Sequence, residues 1–167
     1  TAGVGRYGAY REANPKLQDL MGLASRKLEE RETFIRPLQE MQFLKPMGTV
    51  TGEGWEFPVL SLQEEIKPAK EVEVLATRKD GGQPVLIGRN VGKGRILYMA
   101  ALPGVAYLWS ALQPPVVPDR GVNTHKVPVR FDTGVTTWVE GLLAEAGIEP
   151  PVLAEGRRVD ARLVKAG

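Results

Sequence analysis

The densest apolar material lies between Pro84 and Gly104, PVLIGRNVGKGRILYMAALPG, as two runs around a glycine turn. Val85, Leu86 and Ile87 form one limb. Ile96, Leu97, Tyr98, Met99, Ala100 and Ala101 form the other, with Asn90-Val91-Gly92-Lys93-Gly94 between them. Two β-type runs around a glycine connection predict a hairpin. Neither limb alternates, and a strand apolar on both faces is usually covered on both, as in an α/β sheet. The pattern therefore predicts a hairpin inside a sandwiched sheet.

The strongest helical period follows much later. Val135, Trp138, Val139, Leu142, Leu143 and Ala146 recur at helical spacing, Asp132 or Thr133 stands at the N-cap, and Gly147 followed by Pro150-Pro151 ends the run. A shorter helix is expected after Asn14-Pro15, with Leu17, Leu20 and Met21 as its stripe and Gly22 as its stop. Gln63 to Pro68 and Val72 to Thr77 are expected strands, and Lys79-Asp80-Gly81-Gly82 a turn. Phe34 to Leu62 is broken by Pro37, Pro46 and Pro58, and resolves only into a loop tip at Gly52, Gly54 and Trp55 and a short strand from Glu56 to Leu60. Val105 to Leu112 is a short helical or irregular segment. Gln113 to Phe131 is a long proline-rich loop, and loops of that length are commonly functional. The charged run from Ser25 to Glu32, SRKLEERE, is expected to be a solvated face.

Composition narrows the chemistry. With 167 residues the chain can bury a real core, and 43% hydrophobic and 25% charged residues are ordinary for a soluble globular domain. A net charge of +2, with no basic cluster interleaved with aromatics, gives no argument for nucleic acid. No apolar run approaches the roughly 20 residues of a membrane span. The absence of Cys removes disulfides, thiolate metal sites and cysteine nucleophiles together, and leaves the compartment open. One His with scattered carboxylates offers no metal-ligand spacing, and no cofactor motif is present. Gly92-Lys93-Gly94 is not a phosphate loop. The spacing to Gly88 is too short, and Gly94 stands where a hydroxyl is needed. Glu29, Glu30 and Glu32 could be drawn as paired catalytic carboxylates, but such pairs flank a cleft from separate elements.

The order of several short motifs resembles a family. Thr1-Ala2-Gly3-Val4-Gly5 and Asn14-Pro15-x-Leu17-x-x-Leu20-x-Gly22 resemble the loop and helix after a central strand in class I glutamine-amidotransferase-like domains, in the version called the trimerisation domain of bacterial β-galactosidase-like proteins. Gly82-x-Pro84, Gly92-x-Gly94-Arg95, Tyr98, Leu102-Pro103-Gly104 and Tyr107 match the central segment, and Asp119-Arg120-Gly121, Asn123 and His125 the loop. The resemblance implies a flavodoxin-like α/β fold. Residues 1–157 would be the later part of the domain and residues 158–167 the start of a following β segment, so a fragment or processed product is expected. It also implies attachment to a glycosidase and contacts between subunits. Amidotransferase chemistry itself needs a Cys, which this chain lacks.

The expected function is thus a non-catalytic accessory and oligomerisation domain of a glycoside-hydrolase-like protein, with other copies or other domains of the same polypeptide as partners. Carbohydrate binding through Trp55, Trp109, or Tyr7 and Tyr10, and hydrolysis by carboxylates that the sequence does not pair, are the alternatives. The candidate contact residues are Trp55, which stacks on a sugar or plugs the edge of a core, and Asp119, Arg120, Asn123 and His125, whose side chains offer donors and acceptors within one loop.

Overall fold

The structure is a computed structural model, and it describes residues 15–30, 40–115 and 130–149. A short helix, α1 (Pro15–Met21), runs into β1 (Leu23–Glu30) through Gly22, whose φ of 70° is readily reached only by a residue without a Cβ. A 3-10 turn at Met41–Phe43 precedes the hairpin β2 (Gly48–Gly52) and β3 (Trp55–Val59). Then come β4 (Leu62–Pro68), β5 (Glu73–Arg78), β6 (Pro84–Val91), β7 (Gly94–Met99), α2 (Pro103–Ala111) and α3 (Thr133–Glu145).

The strands form a curled five-stranded sheet in the order β3-β2-β5-β6-β7, half of a barrel, and a two-stranded sheet of β1 and β4. A bridge between Gln63 and Ala101 joins the start of β4 to the end of the β7 limb, and the Glu64 amide donates to the Ala100 carbonyl at 2.7 Å. Every pairing among the described residues is antiparallel. Of those residues 41% lie in strands and 29% in helices, so the expected flavodoxin-like α/β sandwich is corrected to a mainly antiparallel β architecture.

The expected hairpin is present, with Ile87 opposite Tyr98 and Val91 opposite Gly94. Val85, Leu86 and Ile87 are all buried, so both faces of β6 are indeed covered. The sheet, however, is curled and antiparallel, and β4 packs against β6. A curled antiparallel sheet can bury both faces of an inner strand without any βαβ crossover.

The core gathers Val50, Phe57, Val59, Leu60, Val85, Ile87, Ala106 and Leu112, each at most 2% exposed. Helix α2 and the 3-10 turn close one end, where the Trp109 indole donates to the Leu44 carbonyl at 3.1 Å and the Gln113 amide to the Gln42 carbonyl at 2.9 Å. Helix α3 starts as its sequence predicts, with the Asp132 carboxylate accepting from the Val135 amide at 2.9 Å. It ends at Gly147, with φ of 69°, and the Ile148 amide returns to the Leu143 carbonyl at 2.8 Å. It packs on β3 and α2 and reaches the central hairpin at its C-terminal end, where Glu145 pairs with Arg95 of β7. Its first turn lies so close to β3 that a Cβ on Gly134 would stand 1.8 Å from the Glu56 carbonyl oxygen.

Candidate interaction surface

Two polar clusters sit inside the sheets, and both come from residues that local pattern leaves unmarked. Arg26 lies on β1 within the charged run, yet it is 4% exposed. Its guanidinium donates to the Glu64 carboxylate of β4 at 3.2 Å, and the Tyr98 hydroxyl of β7 donates to the same carboxylate. Burial, reinforced by that hydrogen bond, pushes the Tyr98 hydroxyl up to about 12. A carboxylate wrapped by two donors and closed off from solvent meets no substrate, so this cluster pins β1, β4 and β7 together.

The second cluster is centred on Arg78, at the end of β5. It holds Asp80 with two bonds, at 2.8 and 2.7 Å, and donates to Gln63 at 3.0 Å and to the Met47 carbonyl at 2.8 Å. The paired guanidinium draws the exposed Asp80 carboxyl down to about 2. Bonding to Asp80 raises Arg78 in turn. Gly48 leaves room for this fork, since a Cβ there would stand 2.4 Å from the guanidinium. The described part of the charged run is a strand with one solvated face, Ser25, Lys27 and Glu29 being exposed as expected, while Arg26 on the other face is buried.

Trp55 belongs to an aromatic cluster. Its ring stacks on Phe57 at 5.4 Å and tilts against Trp138 at 6.0 Å, while the backbone of Gly52 lies directly beneath it. The ring is half-buried and packs against the core. Asp119, Arg120, Asn123 and His125 lie outside the described residues, as does the boundary expected between residues 157 and 158.

The most open apolar feature is the face shared by α2 and α3. A groove of about 340 Å³ runs between Pro103 and Tyr107 on one side and Val135, Trp138 and Val139 on the other. Tyr107 stacks on Phe131 at 4.6 Å, and both remain more than a third exposed. Along α3 the stripe splits. Val135 is buried against β3, whereas Val139 and Leu143 are each 41% exposed and Ile148 is 54% exposed. Among the described residues lining the groove, Glu140 alone carries a charge. What this lining mainly offers is apolar area and shape. Among the described residues no group of three or more His, Asp or Glu could hold a metal, and no helix is long and apolar enough to cross a membrane.

No known family model matches the chain, and no curated protein matches it.

Proposed function

We propose that this chain is a non-catalytic accessory and oligomerisation domain of a glycoside-hydrolase-like protein, and that its α2–α3 face packs against the same domain of a neighbouring subunit. The observation that carries the reading is the split stripe of α3. One half of it serves the domain's own core, and the other half, Val139, Leu143 and Ile148, is left in water, with Val139 lining the same groove as Tyr107. An exposed apolar stripe beside an apolar groove marks a contact surface on a folded protein. The exposed side of α3 also carries Gly141 and Ala144, small residues that let a second helix approach closely. The order of short motifs described above supports the link to a glycoside hydrolase, and the lack of any Cys keeps amidotransferase chemistry out of the reading.

The test is Val139→Glu combined with Leu143→Glu. Both positions are exposed, so the variant is expected to keep its fold and helical signal. Light scattering of the wild-type chain is expected to give a multiple of the 18.3 kDa mass, and the variant a lower multiple. A wild-type mass that does not move on substitution would remove this face from the assembly.

A further inference from the structure

Strand β1 has a second edge. Among the described residues it pairs with β4 alone, along eight residues from Leu23 to Glu30. A strand of that length with an unpaired edge is a template for another strand. Arg26 and Leu28 share a face with Glu64 and Ile66, which are buried, while Lys27 and Glu29 are exposed on the other face with Glu65 and Lys67, where Gln63, opposite Glu29, is buried against Arg78. Among the described residues neither Lys27 nor Glu29 forms a salt bridge, and Glu29 acts on the Arg78 guanidinium only through its field.

We propose that two copies of this chain pair edge to edge through β1, antiparallel about a two-fold axis at Leu28, to give a continuous four-stranded sheet β4-β1-β1-β4. The register follows from the sequence of the strand. With Leu28 opposite itself, Lys27 of each copy faces Glu29 of the other, on the solvent side of the sheet. Directly opposed residues of an antiparallel pair share a face, so both contacts are side by side and of opposite sign. A shift by two residues in the twofold pairing centres either Lys27 on Lys27 or Glu29 on Glu29, placing like charges together. A shift by one sets the buried side of one copy against the solvent side of the other. One register alone satisfies both charge and face, and it is an isologous contact that closes as a dimer. The half-buried Leu28 side chains then cover each other at the axis. The proposal shares with the reading above the premise that the chain self-associates, and it uses a separate surface.

The chain contains no Cys, which makes a direct test available. Leu28→Cys places two thiols across the axis at the Cα separation of opposed antiparallel residues, about 4.5–5.5 Å, which suits a disulfide. Mild oxidation of the 167-residue variant is expected to give a covalent dimer in high yield. Lys93→Cys, at the exposed tip of the β6–β7 turn, is expected to give little. Leu28→Ser controls for the loss of the leucine, and unchanged melting of that variant shows that the fold survives. Charge reversal adds a second arm. Lys27→Glu and Glu29→Lys are each expected to weaken dimerisation about tenfold at low salt, because two attractive pairs become repulsive. The double reversal is expected to restore it. Cross-linking of Leu28→Cys no better than that of Lys93→Cys overturns the proposal, as does a double reversal weaker than either single one. Repeating the cross-link in the Val139→Glu/Leu143→Glu background separates the two surfaces. A disulfide that persists there supports the β1 pairing even if the α2–α3 reading has failed, and one that disappears shows that β1 makes no contact of its own.

Discussion

Two glycines of one helix should respond to the same substitution with opposite signs. Gly134 and Gly141 both lie in α3, and neither has a positive φ. In a helix interior, Gly→Ala is worth about 1 kcal/mol in favour of Ala. At Gly141 a Cβ meets nothing within 4 Å, so that gain is expected nearly whole. At Gly134 the new Cβ would stand 1.8 Å from the Glu56 carbonyl oxygen and 2.7 Å from its carbon. Both are backbone atoms, so no rotamer change relieves the contact, and α3 has to move away from β3. Overpacking of this kind costs about 1–3 kcal/mol, and an obstacle made of backbone belongs at the upper end. The propensity gain offsets part of this, less than in mid-helix because Gly134 is in the first turn, and leaves a net loss of about 2 kcal/mol. For a chain of this size each kcal/mol moves Tm by about 2–4 °C. Gly134→Ala is thus expected to melt about 4–8 °C below the wild type, and Gly141→Ala about 2–4 °C above it. Thermal unfolding followed by circular dichroism at low protein concentration measures both. A Gly134→Ala variant as stable as the wild type would refute the close approach of α3 to β3. It would also detach the α2–α3 face from the rest of the fold.

The remaining expectations concern the two polar clusters and pH. Tyr98 should ionise late, at about 12. Because its folded pKa is raised, the associated stability is complete below pH 10 and is lost as pH climbs towards that value. An ultraviolet absorbance titration of wild type against Tyr98→Phe detects the missing late step, and identical curves would place Tyr98 in water. Asp80 carries the opposite sign. Its folded pKa is lowered from 3.8 to about 2, so the stabilisation is present above 3.8 and disappears as pH falls between those values. Asp80→Asn should lower stability at neutral pH and flatten the acid limb of the stability profile. A profile parallel to that of the wild type would sever Asp80 from Arg78.

Local sequence was sufficient wherever one segment contains all the groups that decide its conformation. The β6–β7 hairpin is set by two apolar runs around Gly92, whose φ is 58°. Helix α3 carries its own period, its own cap at Asp132 and its own stop at Gly147. The turn at Lys79-Asp80-Gly81-Gly82 is legible for the same reason, with Gly81 and Gly82 both at positive φ. What the sequence left undecided depends on partners far along the chain. Arg26 is buried because Glu64, 38 positions away, lies across the ladder from β1 to meet it, and no window around SRKLEE contains that carboxylate. Pro58 is tolerated in a strand because β3 is an edge and needs no ladder amide at that point. The class of the sheet was equally out of reach. Complete burial of Val85, Leu86 and Ile87 is compatible with helices on both faces and with a sheet curled over itself, and only the packing of β4 over β6 separates the two. The candidate surface follows the same rule. The period of α3 marks an apolar stripe, but β3 and α2 cover one half of it and leave Val139, Leu143 and Ile148 open, because a helix lying along a sheet edge has a second flank that the sheet does not reach.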